Sequence, residues 1–118
     1  MDLVVRTREL GGRCVVEADG DLDMFDAPVL RGHLQHALSE RGRHVVVDLR
    51  CVDFLGSSGL AVLVEAFKAA EAAGGSLALV CNQHRIVLVL ELTGLLDRFP
   101  VYSSLDQALT AGPHAGPA

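Results

Sequence analysis

Two adjacent serines flanked by glycines are the residues of this sequence whose types and spacing most directly suggest chemistry. Gly56, Ser57, Ser58 and Gly59 lie within CVDFLGSSGLAVLVEAFKAA (51–70), a stretch that begins as the end of a strand and continues as a helix. A serine at such a junction can cap the helix, act as a nucleophile or receive a phosphate. The surrounding sequence has to distinguish these three roles.

Catalysis by either serine is disfavoured by the residues around the pair. A nucleophile elbow needs a glycine two residues before and two residues after the serine, and the flanking glycines have the wrong offset for both serines. His84 follows a later predicted strand, but no acid is evident that would orient it as a general base. The only lysine, Lys68, lies inside the predicted helix, so the sequence has no phosphate-binding GxxxxGK(S/T) loop. We therefore expect no enzymatic activity.

Composition and charge exclude further classes of function. The chain has 118 residues, 50% of them hydrophobic, which fits one compact domain. Its 15 acidic and 10 basic residues give a net charge of -5, so nucleic acid is not an expected partner. The apolar runs are far shorter than the roughly 20 residues needed to cross a bilayer, and the charged N-terminus is unlike a signal peptide. We expect a cytoplasmic protein without membrane contact.

The cysteines predict no disulfide framework and no metal site. Cys14, Cys51 and Cys81 are widely spaced and form no CxxC pair. Cys51 and Cys81 end neighbouring predicted strands and could approach one another as a redox pair, but we favour small buried apolar side chains. No metal or other cofactor is expected.

Strand and helix signals alternate along the chain. Two β-rich runs joined by Gly11 and Gly12 predict a hairpin, because a glycine pair can adopt the positive φ of a tight turn. After the hairpin, apolar spacing predicts two longer helices and two buried strands in alternation, then a short helix, a short edge strand and a terminal helix. The ranges are 3–10 and 14–19 for the hairpin, 27–40 and about 58–73 for the longer helices, 45–49 and 76–81 for the buried strands, and up to about 92 for the short helix. The predicted helix-capping signals are Asp26, Gly74 with Gly75, Asn82, and Ser104 with Gln107.

This order of elements predicts an α/β fold with an N-terminal β-hairpin and a mixed, mostly parallel sheet. The loops that follow the carboxyl ends of parallel strands gather at one rim, where function usually resides. The rim would contain GDLDMFD (20–26), RCVDFLGSSG (50–59) and CNQH (81–84). It would therefore hold both serines together with four aspartates, which are Asp21, Asp23, Asp26 and Asp53.

Three segments resemble the STAS domain of bacterial anti-sigma factor antagonists. They are GDLDMFDAPVL, VVVDLRCVDFLGSSGLAVLVEAFKAA and LTGLLDRFPVYSSLDQAL, in the order and spacing of the family, and the resemblance extends over about 3–109. It implies a single STAS domain at 1–111, built as a βα superhelix with its helices on one side; the Gly/Pro/Ala composition of 112–118 predicts a flexible tail.

The resemblance also implies partner switching. In that family the unphosphorylated antagonist binds an anti-sigma factor and frees a sigma factor. The anti-sigma factor is itself an ATP-dependent serine kinase, and phosphorylation of the antagonist releases it. A phosphatase of the PP2C type then restores the antagonist.

Carried over by position, the phosphorylated serine of the family's D-S-(S/T)-G motif is Ser57. Ser58 is then the expected helix cap, although the two roles could be reversed. A phosphate on Ser57 would be favoured by the helix N-terminus but would repel a partner bound to the rim. The residues implied to contact the partner are Asp21, Asp23, Asp53, Gly56, Ser57, Ser58 and Gly59.

Two alternatives remain open. The family commonly has Asp where this chain has Gly56, and the loss of that charge is compatible with a permanently active antagonist whose Ser57 receives no phosphate. The other alternative is a STAS subunit of a transport or stress-signalling complex, which would sense a ligand or act as a scaffold without phosphorylation.

Overall fold

A mixed sheet lies at the centre of the molecule. The computed structural model describes residues 3–111, and within them the strands form a five-stranded sheet in the order β1-β2-β3-β4-β5. β1 pairs with β2 antiparallel, and the other neighbouring strands are parallel. The elements are β1 (Val4–Leu10), β2 (Arg13–Leu22), α1 (Ala27–Ala37), β3 (His44–Leu55), α2 (Ser57–Ala72), β4 (Ser76–Val80), α3 (His84–Leu92), a 3-10 turn (Leu95–Asp97), β5 (Val101–Tyr102) and α4 (Leu105–Thr110). The predicted α/β fold, with its hairpin and mostly parallel sheet, is confirmed.

The hairpin and the strand lengths follow from backbone conformation and pairing. Gly11 and Gly12 have φ of 58° and 76°, as the tight turn requires. β2 and β3 both extend beyond their predicted ends, to Leu22 and Leu55. Polar residues alternate with apolar ones in these extensions, so the continuous apolar pattern that predicted the strands is lost there. Two register irregularities also interrupt the β2–β3 pairing.

Alternating strand residues build two apolar layers. Residues such as Val16, Val47 and Leu79 face the core that α1, α2 and α3 cover. Their neighbours in the chain, including Val46 and Val80, face Ala108 of α4 on the opposite side. The prediction of helices on one side therefore holds for α1, α2 and α3, while α4 packs against the other face of the sheet. Across residues 3–111, no helix is both long enough and apolar enough to span a membrane.

Several predicted helix ends are displaced by one or more residues. α1 ends at Ala37 rather than residue 40, and the Asp26 side chain makes no capping hydrogen bond to it. Gln83, not Asn82, occupies the position before α3, where the backbone is extended. Gly74, with φ of 76°, follows the end of α2 as predicted. The predicted capping bond of α4 is also confirmed, since the Ser104 hydroxyl accepts a hydrogen bond from the backbone N–H of Gln107 at 3.2 Å.

Candidate functional site

The carboxyl ends of β2 and β3 project beyond β4 and carry the candidate site. Pairing between β3 and β4 ends at Asp48 and Val80, whereas β2 and β3 remain paired as far as Leu22 and Leu55. The Gly56 N–H donates a hydrogen bond to the Leu22 carbonyl oxygen at 3.0 Å. This bond ties the start of the β2–α1 loop to the junction between β3 and α2.

Both serines lie inside the first turn of α2. The helix begins at Ser57, and the residue before it, Gly56, has an extended backbone with φ of -90° and ψ of 179°. Neither serine occupies the N-cap position, so the prediction that Ser58 caps the helix is wrong, and Ser57 does not cap it either. The helix starts two residues earlier than a Ser58 cap requires, and a capping side chain must come from the non-helical residue before the first turn. Ser57 is exposed and Ser58 is half-buried.

The two flanking glycines meet different constraints. Gly59 is buried, and a Cβ there would lie 2.9 Å from Leu22 Cβ, 2.9 Å from Leu55 Cδ1 and 3.0 Å from the Leu22 carbonyl oxygen. Its role is therefore to let α2 approach the end of β2 rather than to offer a surface. At Gly56 a Cβ would lie 3.0 Å from Phe54 Cε2, which belongs to an exposed ring that can move. The Asp that the family commonly has here would fit after a small shift of that ring.

The structure brings the predicted aspartates to the same rim. Asp21 pairs in register with Phe54, the residue after the exposed Asp53. Asp23 is half-buried, and its Oδ1 atom accepts hydrogen bonds from the N–H groups of Phe25 at 3.0 Å and Asp26 at 2.9 Å. One predicted contact residue is therefore also the residue that fixes the shape of the β2–α1 loop.

Two residues that sequence reasoning missed hold the projecting part of β3. The Gln83 Nε2 atom donates to the carbonyl oxygens of Arg50 at 2.6 Å and Val52 at 2.8 Å. Arg85 Nη1 donates to the Asp53 carbonyl oxygen at 3.1 Å. These side chains bind the strand edge where β4 is too short to pair with it. The only sequence signal for Gln83 is the expected position of CNQH at the rim, and Arg85 directly follows that segment.

Asp48 and Arg50 form an ion pair on β3. Asp48 is only 5% exposed, and its carboxylate accepts hydrogen bonds from the Arg50 backbone N–H and guanidinium. The hydrogen bond to Asp48 raises the pKa of Arg50 above its ordinary value. His84 is exposed at the start of α3. In the part of the chain that the structure describes, no cluster of three or more His, Cys, Asp or Glu side chains could hold a metal ion.

All three cysteines are free thiols. Cys14 and Cys81 are buried, and desolvation by burial raises the pKa of both thiols. The prediction of a buried apolar role is therefore confirmed for Cys81. It is wrong for Cys51, which is exposed: the next residue, Val52, is buried in the core, so Cys51 lies on the opposite face of β3.

The fold and the position of this site define a class of protein. Residues 4–108 match the family model of the STAS domain, and the chain belongs to that family. It is 34% identical over 97 residues to the anti-sigma-B factor antagonist of Bacillus subtilis, which covers 82% of this chain and 88% of the relative. It is 28% identical over 111 residues to an anti-sigma F factor antagonist of Paenibacillus polymyxa, over 93% of this chain and 95% of the relative.

A solved structure extends the likeness to three dimensions. The crystal structure of an anti-sigma factor antagonist from Mycobacterium paratuberculosis superposes with a TM-score of 0.85 at 30% identity, covering 92% of each chain. The resemblance stated from the sequence is therefore confirmed, and the relatives of this chain include anti-sigma factor antagonists.

Proposed function

We propose that this chain is an anti-sigma factor antagonist whose binding to its anti-sigma factor is switched off by phosphorylation of Ser57. The observation that carries the proposal is the position of Ser57, exposed in the first turn of α2 at the acidic rim of a STAS domain. In this proposal the protein acts in the cytoplasm and has no catalytic activity of its own. Its anti-sigma factor is a serine kinase, and a phosphatase of the PP2C type removes the phosphate.

The first turn of α2 suits a phosphate. Its backbone N–H groups have no partner within the helix, and the helix dipole stabilises an anion there by about 0.3 to 1 kcal/mol. A phosphate on Ser57 would add about -1.5 to -2 charges at neutral pH. The folded domain can therefore accept the modification without rearranging.

The same phosphate is unfavourable for a bound kinase. Phosphoryl transfer requires the terminal phosphate of ATP to lie against the Ser57 hydroxyl, so the product complex places phosphoserine beside the remaining nucleotide phosphates. Like charges at such distances repel strongly when they are shielded from water. Asp53 and Asp21 add further negative charge on the antagonist's side. Release of the phosphorylated protein follows from this repulsion.

The phosphorylation site can be assigned with single substitutions. We expect the purified chain, incubated with ATP and each anti-sigma factor kinase encoded by the same organism, to gain one phosphate by mass spectrometry. Ser58→Ala is the matched control and should still be phosphorylated, whereas Ser57→Ala should not. Phosphate on Ser57→Ala would assign the site to another residue.

Binding measured with the same kinase tests the switch. We expect Ser57→Ala to bind as tightly as the unmodified protein and Ser57→Asp to bind at least about tenfold more weakly, because the carboxylate introduces part of the phosphate's charge. Equal binding by Ser57→Asp and Ser57→Ala would contradict the switch. An unmodified protein that binds but takes up no phosphate would instead be a permanently active antagonist.

A further inference from the structure

Three large apolar side chains are exposed beside Ser57. Met24 is 69% exposed, Phe25 81% and Phe54 52%. We call these three residues the rim patch. Single exposed apolar residues are ordinary on protein surfaces, but neighbouring ones that include two aromatic rings mark sites of interaction.

The rim patch and Ser57 lie on two segments that are joined to each other. The hydrogen bond from Gly56 N–H to the Leu22 carbonyl ties the loop that carries Met24 and Phe25 to the start of α2. The Phe54 ring lies against Gly56, the residue directly before Ser57. A partner that reaches the Ser57 hydroxyl therefore comes close to the exposed Phe54 ring and to the loop that carries Met24 and Phe25.

The backbone that presents Phe25 is held in a fixed conformation. Asp23 Oδ1 accepts hydrogen bonds from the N–H groups of Phe25 and Asp26, and the Asp23 carbonyl accepts one from Ala27 at 2.9 Å. A loop fixed in this way loses little further backbone entropy when it binds. Phe25 thus has the properties of a preorganised aromatic anchor.

The charges around the rim patch indicate what its partner must offer. The segments 20–26 and 51–59 contain four aspartates and no lysine or arginine; of the neighbouring arginines, Arg50 pairs with Asp48 and Arg85 binds the Asp53 carbonyl oxygen. A partner surface that buries the rim patch must therefore combine an apolar cleft with basic side chains at its border. A second copy of this chain would oppose aspartates to aspartates, which is unfavourable.

We propose that the rim patch is the affinity anchor for the anti-sigma factor, with Phe25 as its central residue, inserted into an apolar cleft bordered by Arg or Lys. This inference rests on the proposed function and adds to it a division of labour: the rim patch supplies the binding free energy and Ser57 supplies the switch. A partner that buries the rim patch would also have to remove water from a phosphate on Ser57. Because this desolvation costs free energy, it favours release of the phosphorylated protein.

Alanine substitutions measured by calorimetry test the anchor. The probe is the purified anti-sigma factor that phosphorylates the unmodified chain. We expect Phe25→Ala to weaken binding by at least about 30-fold, as truncation of a central aromatic anchor does. Leu92→Ala is the matched control, because Leu92 is 76% exposed on α3, and its affinity should remain within about threefold of the unmodified protein. Thermal unfolding should be unchanged in both variants.

Kinetics separate the anchor from the switch. In the kinase reaction Phe25→Ala should raise KM for the antagonist with kcat within about twofold, because the ring contributes to binding and not to phosphoryl transfer. If the unmodified protein binds, and both Phe25→Ala and Met24→Ala bind with affinities within threefold of it, the anchor proposal is overturned. The proposed function is then left intact. Absence of binding by the unmodified protein to every such kinase would overturn both. If Phe25→Ala abolished self-association of the chain but kept its binding to the kinase, the rim patch would belong to a dimer. That result would overturn the proposal.

Discussion

Gly59 fixes the distance between α2 and the end of β2, and this contact sets the position of Ser57. The neighbours that a Cβ would meet there include the backbone oxygen and the Cβ of Leu22, which cannot move without shifting β2. A Cβ at Gly56, by contrast, would come within 3.0 Å only of the exposed Phe54 side chain and would lie 3.6 Å from the Leu22 carbonyl oxygen, an ordinary contact distance. Two glycines that look equivalent in the sequence therefore tolerate substitution very differently.

A pair of identical substitutions should show opposite effects on stability. We expect Gly59→Ala to lower the free energy of unfolding by about 1 to 3 kcal/mol, because the added methyl group is forced against Leu22 and Leu55. Gly32→Ala in α1 should raise it by about 0.5 to 1 kcal/mol, because that site is open and alanine favours the helix. Urea denaturation measures both. A Gly59→Ala variant as stable as Gly32→Ala would contradict this packing.

At the scale of elements, the site lies on the extended ends of β2 and β3, where β4 no longer pairs with β3. Beyond Asp48 the edge of β3 is bound by the side chains of Gln83 and Arg85 instead of by β4. The conformation of the β3–α2 junction therefore depends on the loop before α3 as well as on its own residues.

Removing the Gln83 amide should loosen this part of β3 selectively. Gln83→Ala deletes two hydrogen bonds to β3 carbonyls, so we expect a loss of about 1 to 2 kcal/mol of stability. Hydrogen exchange should accelerate over 50–56 while Val45 to Asp48, paired on both sides, stay protected. Gln35→Ala, at an exposed position of α1, is the control and should leave both segments unchanged. Uniform acceleration along all of β3 would argue against this local role.

The sequence predicted the elements better than their ends, for physical reasons. A continuous apolar run marks β3 only over 45–49, where both faces of the sheet are buried; further along the strand only single residues such as Val52 and Leu55 are buried, so the end of β3 could not be located from such a run. The serines and the rim aspartates were predictable because local motifs and strand order place them. Gln83 was not, because its partners, Arg50 and Val52, are 33 and 31 residues away and bond through backbone atoms that carry no sequence signal.

At the scale of the whole molecule, one core connects the hairpin to the last strands. Cys14 of β2 and Cys81 after β4 belong to the same apolar cluster, whereas Cys51 lies outside it. The Cys14 and Cys81 thiols therefore report on opening of the core, whereas the Cys51 thiol reports on the exposed part of β3.

Thiol labelling should distinguish the exposed cysteine from the two buried ones. In native buffer we expect Cys51 to react with a disulfide reagent at the rate of an unfolded peptide. Cys14 and Cys81 should react far more slowly and with similar opening free energies, because their thiols are buried and their raised pKa reduces the reactive thiolate. Mass spectrometry of quenched samples measures each rate, and all three thiols should react at once in urea. Rapid labelling of Cys81 with Cys14 still protected would show that β4 opens independently of the hairpin.

The two outer strands of the sheet determine how the molecule meets other chains. β1 presents charged side chains such as Arg6, Arg8 and Glu9, and β5 is only two residues long. Charged or very short edge strands discourage another chain from extending the sheet. Under the proposed function, the antagonist has to be present at a concentration comparable to that of its anti-sigma factor. These edges let the chain accumulate without polymerising through its sheet.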